Sequence, residues 1–315
     1  MSIAYVLRRL VTVATTLFFV VAITFLVFRL IPGDPVQLMI GADADPALET
    51  RLRRELGTDL PAHVQFFTWT RDAIRGDFGT SIRYSRPVAD LIGARLPLSL
   101  MVAGVSIAVV GLVALPLGIG FAWFRHLTVV RVLATVVQLG MAIPSFWMGL
   151  MLISFLAVGM SFFPTGGFVS PEEGLVRSLQ SVALPALAIS LPLIAIVVRY
   201  VRNSILDELS QDYVRTALSK GVPANRVLFR HVLRNSLLPV ITVFGLIFAD
   251  IVAGTIVVEQ VFSLPGLGRL LVTAIGSRDF PLIQGLVLYI GVFVVLFNFV
   301  VDFLYRVLDP RIELS

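Results

Sequence analysis

Long apolar stretches separated by shorter polar ones dominate the pattern along this chain. A helix that crosses a bilayer needs about 20 apolar residues, and six stretches meet that length. The first runs from Leu10 to Phe28, and the fifth runs from Leu237 to Val258. The other four lie between Arg95 and Arg125, Arg131 and Pro164, Arg177 and Arg199, and Asp279 and Asp302. The pattern predicts an all-α integral membrane protein with about six transmembrane helices.

Two of these stretches have features that need a separate interpretation. The third contains Gln138 and Pro144, and proline inside a membrane helix commonly kinks it, so we expect one span kinked at Pro144. The first follows Arg8 and Arg9, as in a signal peptide, but its apolar run exceeds the usual 7–15 or so residues. No small-residue cleavage site follows it, so we expect a retained first helix.

The basic residues between the spans predict an orientation. Short loops on the cytoplasmic side carry an excess of Lys and Arg. If the N-terminus lies inside, the short outside loops hold only Arg177, Arg269 and Arg278. The inside segments then hold Arg8, Arg9, Arg125, Arg131, Arg199, Arg202, Arg215, Lys220, Arg226, Arg230, Arg234, Arg306 and Arg311. Both termini are therefore predicted to be cytoplasmic.

Two connecting segments are too long to be simple loops within a single transmembrane domain that covers residues 1–315. The first, residues 29–95, has helical character from Pro46 to Leu56 and several aromatic residues. These aromatic residues are Phe66, Phe67, Trp69 and Phe78. Because this segment is too apolar for disorder, we expect a small folded cap on the extracytoplasmic side. The second, residues 199–236, is expected on the cytoplasmic side.

Composition excludes several classes of protein and site. The chain is 57% hydrophobic and 14% charged, with a mean hydropathy of +0.93, too few charges for a soluble domain. Its net charge of +5 is explained by orientation and does not predict nucleic-acid binding. The absence of cysteine excludes disulfides and thiolate chemistry. No phosphate-binding loop of the form GxxxxGK[ST] occurs. The three histidines, His63, His126 and His231, are scattered, which predicts no bound metal.

The segment 199–236 has the most informative local pattern. Ser210 or Asp212 is suited to cap the start of a helix, and Gly221 is suited to end it. Between them Val214, Ala217 and Leu218 form a short apolar stripe at helical spacing.

A second helix is expected to follow in the same segment. Pro223 suits its first turn, and Arg226, Arg230 and Arg234 recur every four residues as one basic face. Periodicity alone leaves two alternatives open for such short helices. They dock into a groove of a partner protein, or they lie on the lipid headgroups.

Five separated motifs carry a resemblance to a known family. They are Asp212–Gly221 with Arg230–Pro239, Ile31–Pro35, Val258–Gly268, Arg278–Gly285 and Asp302–Ile312. Together, and in their order along the chain, they resemble the permease subunit of bacterial ABC importers, in the dipeptide/oligopeptide/nickel permease family (dipeptide permease B-like). The match covers essentially the whole chain. It implies the type I ABC importer permease fold.

The resemblance assigns coupling to the ATPase to one stretch. Its residues are Asp212, Tyr213, Val214, Arg215, Thr216, Ala217, Leu218, Lys220 and Gly221. The broad importer pattern Glu-Ala-Ala-x-x-x-Gly reads Arg215-Thr216-Ala217 at its first positions here. Arg-Thr-Ala is frequent in the peptide subgroup, so contacts made by the glutamate of the broader family are not transferred. Ser219 stands where alanine is common.

The resemblance also implies a function and partners. The chain is expected to be the transmembrane subunit of an ATP-driven importer, forming half of a pathway for di- and oligopeptides, with nickel or a metal chelate as the alternative substrate. The implied partners are a second homologous permease in a heterodimer, two ATP-binding subunits, an extracytoplasmic substrate-binding protein and membrane lipid, without nucleic acid. No cofactor is expected on this chain, since ATP and Mg are used by the partners. The chain is not expected to be an enzyme. It is expected to lie in the bacterial inner membrane.

Asp250 is the charged residue that stands alone within the fifth span. A charge at the centre of a bilayer costs a few kcal/mol and usually faces protein or water. Asp250 is therefore either a carboxylate that lines the pathway and attracts a cationic group, or a structural partner for a polar group on a neighbouring helix. A transporter driven by an ion gradient, in which Asp250 would bind a proton, and a membrane scaffold are the competing classes. The five motifs argue against both.

Overall fold

The computed structural model describes residues 3–30, 50, 53 and 59–308, and they are predominantly helical. The only β pairing among them is a single antiparallel bridge between Thr80 and Pro87. The helices are α1 Ile3–Leu30, α2 Ala62–Ile74, α3 Val88–Trp123, α4 Thr128–Leu139, α5 Ser145–Leu152, α6 Leu175–Leu209, α7 Asp212–Ser219, α8 Ala224–Val227, α9 Leu233–Val261, α10 Leu267–Gly276 and α11 Phe280–Leu308. Short 3₁₀ turns at Gly140–Ala142 and Pro171–Glu173 and π-helical turns at Ile153–Gly159 and Leu228–Val232 complete the helical segments.

The predicted spans each fall on helical structure. Within the described residues, α1, α3, α6, α9 and α11 are long and apolar enough to cross a membrane. A sixth crossing exists if Thr128–Ala142 and Ser145–Gly159 together count as one span. The predicted all-α membrane fold is therefore confirmed. The motif Ile31–Pro35, most of the segment Pro46–Leu56 and the chain beyond Leu308 lie outside the described residues.

The third span is broken, so the predicted single helix with a kink at Pro144 is wrong. The two parts of the span meet at an angle of 106°. Ile143 is extended, with φ −89° and ψ 119°, because the ring of a following proline disfavours helical backbone at the residue before it. Pro144 then precedes a new helix that begins at Ser145. One proline both ends a helix and starts the next.

The chain forms two compact units, Met1–Pro97 with Gly266–Leu296 and Leu98–Pro265 with Phe297–Ser315. In the second unit, α6 is the central helix and packs against α5 and α9. Gly118 lets α3 approach α6 closely, since a Cβ there would lie 2.6 Å from the Cβ of Val201. The Ser190 hydroxyl donates to the Ser106 carbonyl on α3 at 3.1 Å. Small residues and serine hydrogen bonds are typical of contacts between membrane helices.

The first unit contains part of the aromatic segment that the sequence assigns to an outer cap. Phe66 and Trp69 lie on α2, and both rings contact Phe25 of α1, at centroid distances of 5.3 and 6.1 Å. Phe67 points away and is largely exposed. These aromatic residues therefore pack α2 against the first span.

Candidate functional site

The short helix α7 lies between the end of α6 and the start of α8. Gln211 occupies the N-cap position without a side-chain hydrogen bond, so the predicted caps are wrong. Ser210 donates to the carbonyl of Asp207 at 2.7 Å and so belongs to the end of α6. Asp212 is the first residue of α7, where a negative charge interacts favourably with the helix dipole.

Gly221 ends this segment as the sequence predicts, and the reason is backbone conformation. Its φ is +77°, in the left-handed region that glycine adopts without steric cost. Its N–H donates to the Leu218 carbonyl at 2.9 Å, and the Val222 N–H donates to the Ala217 carbonyl at 3.2 Å. This pair of bonds is a Schellman motif. Pro223 follows at the N-cap of α8, so the chain reverses within a few residues.

The predicted apolar stripe of α7 is divided between two environments. Val214 is 2% exposed and belongs to the core of its own unit. Ala217 is half-buried against the same core, whereas Leu218 is 46% exposed. The other predicted coupling residues are exposed: Asp212, Tyr213, Arg215, Thr216, Lys220 and Gly221. The surface of α7 that a partner can reach is therefore polar, with one large apolar side chain.

The basic residues after Pro223 do not form a separate surface helix, which corrects the prediction. Helix α8 continues through the π-helical turn Leu228–Val232 directly into α9. Arg226, Arg230 and Arg234 are exposed along this continuous helix. The two helices predicted for the segment are thus one free-standing short helix and the first turns of a span.

A polar triad connects α7 to both neighbouring spans. The Tyr213 hydroxyl donates to Glu208 Oε1 at 2.7 Å. The Asn235 amide donates to the same Oε1 at 3.0 Å and approaches the Tyr213 hydroxyl at 3.4 Å. Partial burial and then the hydrogen bond to the Glu208 carboxylate raise the pKa of Tyr213 to about 12. The phenol therefore stays protonated, and remains a donor, at neutral pH.

Asp250 lies at the middle of α9, eleven residues from either end of the apolar segment Pro239–Val261. Its side chain is exposed, and no hydrogen bond or ion pair to it is found within the described part of the chain. It belongs to a face of α9 that the described residues leave uncovered. The members of that face are Thr242, Leu246, Asp250, Ala253 and Val257. A structural partner for Asp250 is therefore not found among the described residues.

Comparison with known proteins places the chain in a family. Residues 114–314 match the family described as "Binding-protein-dependent transport system inner membrane component". Residues 2–103 match the corresponding N-terminal component. The chain belongs to this family. The resemblance drawn from the five motifs is thereby confirmed.

Similar curated proteins align with this permease over nearly its whole length. The oligopeptide transport system permease protein AppB of Bacillus subtilis is 39% identical over 313 residues, covering 98% of this chain and 99% of the relative. A putative peptide transport system permease protein of Brucella melitensis is 38% identical, covering 99% of both chains. The glutathione transport system permease protein GsiC of Salmonella typhi is 39% identical, covering 98% of both.

These relationships define the class of the protein. The permease is a membrane-spanning subunit of an ABC importer with the type I permease fold, and a multi-pass protein of the inner membrane. Permeases of this family work with ATPase partners and substrate-binding partners.

Two carboxylates of the described residues, next to the ends of predicted spans, are buried, which the apolar pattern does not predict. Asp279 is 1% exposed and accepts hydrogen bonds from the Ser81 hydroxyl and the backbone N–H groups of Ile82 and Arg83, at 2.5, 3.2 and 3.1 Å. It also accepts from the Leu282 N–H at 3.3 Å, at the start of α11. An acidic residue directly before an apolar helix is a cap signal that would have predicted this contact.

The second buried carboxylate is Glu259, near the end of α9. It is fully buried and accepts a hydrogen bond from the Ser99 hydroxyl on α3 at 2.6 Å. Sequence pattern gives no signal for this pairing, because the two residues are 160 positions apart. Both side chains join segments through their hydrogen bonds, since buried polar groups are stable only when they are hydrogen-bonded.

Proposed function

We propose that this permease carries peptides, that it forms half of the pathway with a second homologous permease, and that α7 receives the motion of a cytoplasmic ATPase. The complex would contain two ATP-binding subunits, with ATP and Mg bound there, and an extracytoplasmic substrate-binding protein. This chain would bind no cofactor and perform no catalysis. The transport functions in the names of the relatives, for oligopeptides, peptides and glutathione, support a peptide substrate over nickel or a metal chelate.

The observation that carries the coupling proposal is the position of α7 relative to its own chain. One side of this eight-residue helix is buried through Val214, while Arg215, Leu218 and Lys220 are exposed. The helix is also hydrogen-bonded to the end of α6 and the start of α9 through the polar triad. A force applied to its exposed side therefore reaches two long helices. A helix that only rested on lipid headgroups would turn an apolar face to the membrane, whereas Val214 and Ala217 of α7 face the protein core.

The uncovered face of α9 supports a role for Asp250 in the pathway. Asp250 lies eleven residues from each end of the apolar segment, or about 16 Å along the helix axis at 1.5 Å per residue. A carboxylate at that depth costs a few kcal/mol against lipid, so water or protein is expected to cover it. A second permease and the aqueous pathway between the two would provide both. The carboxylate would then attract the amino group of a peptide.

The proposed orientation of the permease in the membrane rests on the distribution of its basic residues. With α7 on the cytoplasmic side, Arg215, Lys220, Arg226 and Arg230 lie inside and both termini are cytoplasmic, in agreement with the distribution of positive charge. Residues 29–95 would then form an extracytoplasmic segment and residues 199–236 the coupling segment.

The experiment that tests the substrate and the energy source is transport by the complete complex in liposomes, with its binding protein and internal ATP. We expect uptake of a labelled dipeptide or oligopeptide that requires ATP and persists when a protonophore abolishes the ion gradient. Uptake of Ni²⁺ in the absence of peptide uptake would overturn the peptide assignment. Uptake driven by a proton gradient without ATP would overturn the importer mechanism.

A further inference from the structure

Two polar side chains, from α7 and α9, converge on one carboxylate oxygen at the end of α6. Glu208 lies in the last turn of α6, Tyr213 in the first turn of α7, and Asn235 in the first turn of α9. Tyr213 and Asn235 both donate to Glu208 Oε1, at 2.7 and 3.0 Å. Hydrogen bonds to an ionised acceptor are stronger than those between neutral groups. The triad therefore joins the short helix to both spans that flank it in sequence.

The contacts around the triad distinguish it from an incidental surface contact. Glu208 and Asn235 are 27 residues apart in sequence, so their contact is long-range. Close by, the Ser204 hydroxyl of α6 donates to the Ser236 carbonyl of α9 at 2.6 Å. Thus α6 and α9 are already joined at this end, and Tyr213 adds α7 to that junction.

Burial alone leaves the orientation of α7 poorly determined. Val214 is the only buried residue of this helix, and Ala217 is half-buried against the same core, so two small apolar side chains hold the helix through non-directional contacts. The Tyr213 hydroxyl, one residue before Val214, adds a directional contact. With both in place the helix is prevented from rotating about Val214 when its exposed side is pushed.

We propose that Tyr213, Glu208 and Asn235 act as positioning residues that hold α7 rigidly to α6 and α9, so that displacement of α7 moves both spans together. This inference rests on the proposed coupling function of α7. When the hydrogen bonds of the triad are removed, α7 rotates when the ATPase pushes it and does not pass the displacement on to α6 and α9. ATP is then hydrolysed without a matching amount of transport.

The test compares the substrate transported per ATP hydrolysed in liposomes that contain the complete complex. The variants are Tyr213→Phe, which removes only the hydroxyl, and Asn235→Ala, which removes an exposed amide. We expect each to lower this ratio at least threefold. The double variant should fall no further than the worse single one, since both residues act through Glu208. Glu208→Gln, which keeps an acceptor oxygen, should retain more coupling than Glu208→Ala.

Ser210→Ala is the matched control, because it also removes a hydroxyl from this region. Its hydrogen bond stays within the end of α6, so its ratio should equal that of the parent. Co-purification of the subunits checks assembly for every variant. If Tyr213→Phe fails to assemble, Asn235→Ala remains decisive.

A further variant separates failure of this inference from failure of the proposed function. Leu218→Asp changes the exposed side of α7, away from the triad, and should impair transport through the ATPase contact itself. If Leu218→Asp and the triad variants all transport like the parent, α7 is not the coupling element. If Leu218→Asp is impaired but the triad variants keep the parental ratio, the positioning role alone is overturned.

Discussion

At the scale of single residues, the sequence predicts that Asp250 lies within the membrane, but it does not predict which side of its helix Asp250 occupies. Its isolation within an apolar run predicts depth, because hydropathy reports position along the span. Which side of the helix it occupies depends on how α9 packs against α6, and one apolar helix offers no periodic signal for that. The structure answers with an exposed carboxylate on an uncovered face.

Asp250→Asn should lower peptide uptake at least tenfold while the complex still assembles. The amide keeps the shape of the side chain but loses the charge that attracts a cationic group, and a tenfold change corresponds to about 1.4 kcal/mol. The measurement is the initial rate of uptake against peptide concentration. Glu172→Gln, an exposed carboxylate in the loop before α6, is the control and should change nothing. Parental kinetics in Asp250→Asn would reduce Asp250 to a residue without a transport role.

Tyr213 allows a prediction of pH dependence. An ordinary tyrosine titrates near pH 10, whereas burial and the Glu208 carboxylate raise the pKa of Tyr213 to about 12. The raised pKa means that the stabilisation from this phenol is complete below pH 10 and is lost as the pH rises from 10 to 12. The difference in tyrosinate absorbance between the parent and Tyr213→Phe should show one group with a midpoint near 12. A midpoint near 10 would mean that the phenol does not contact Glu208.

At the scale of elements, residue spacing predicted α7 and its end at Gly221. The end of a helix is predictable because it depends on a local property, the ability of glycine to adopt a left-handed backbone conformation. Residue spacing did not predict which side of α7 is buried. An apolar stripe at Val214, Ala217 and Leu218 indicates that something covers it, but not whether this chain or a partner does. Nor did it predict that α8 and α9 are continuous, since nothing in local composition marks the π-helical turn Leu228–Val232.

The backbone conformation of Gly221 predicts the effect of substituting it. A Cβ at Gly221 would meet nothing within 4 Å, but φ is +77°. Gly221→Ala should therefore destabilise the turn by about 1–2 kcal/mol through its backbone conformation, with Gly221→Asn less affected because Asn tolerates the left-handed region. Gly104→Ala, in open space on α3 without a positive φ, is the control. Thermal unfolding of the purified permease measures both, and equal effects of Ala at the two positions would contradict the turn geometry.

A bulky substitution such as Ala217→Trp would disturb this chain itself and would not report on a partner contact alone. Ala217 packs against the core of its own unit, so a bulky side chain there would cost about 1–3 kcal/mol by overpacking within the chain. Exposed positions such as Arg215 and Leu218 report on a partner without that effect.

At the scale of the whole molecule, hydropathy predicted the spans well because the bilayer imposes a minimum apolar length. Hydropathy did not predict the 106° break at Pro144, because a proline indicates that a helix bends but not by what angle. The buried carboxylates Asp279 and Glu259 were also missed. Their hydrogen bonds join segments far apart in sequence, and charged residues at the ends of apolar runs look like boundaries.

The coupling role of α7 is the central claim, and crosslinking tests it most directly. Because the chain contains no cysteine, a single one can be introduced as Leu218→Cys or Arg215→Cys on the exposed side of α7, with Val214→Cys on the buried side as control. After treatment of the complete complex in membranes with a short thiol-directed photocrosslinker, we expect adducts with the ATPase subunit from the two exposed positions and none from Val214→Cys. Adducts confined to lipid at Leu218→Cys and Arg215→Cys, with none to the ATPase, would contradict the account and assign α7 to the membrane surface.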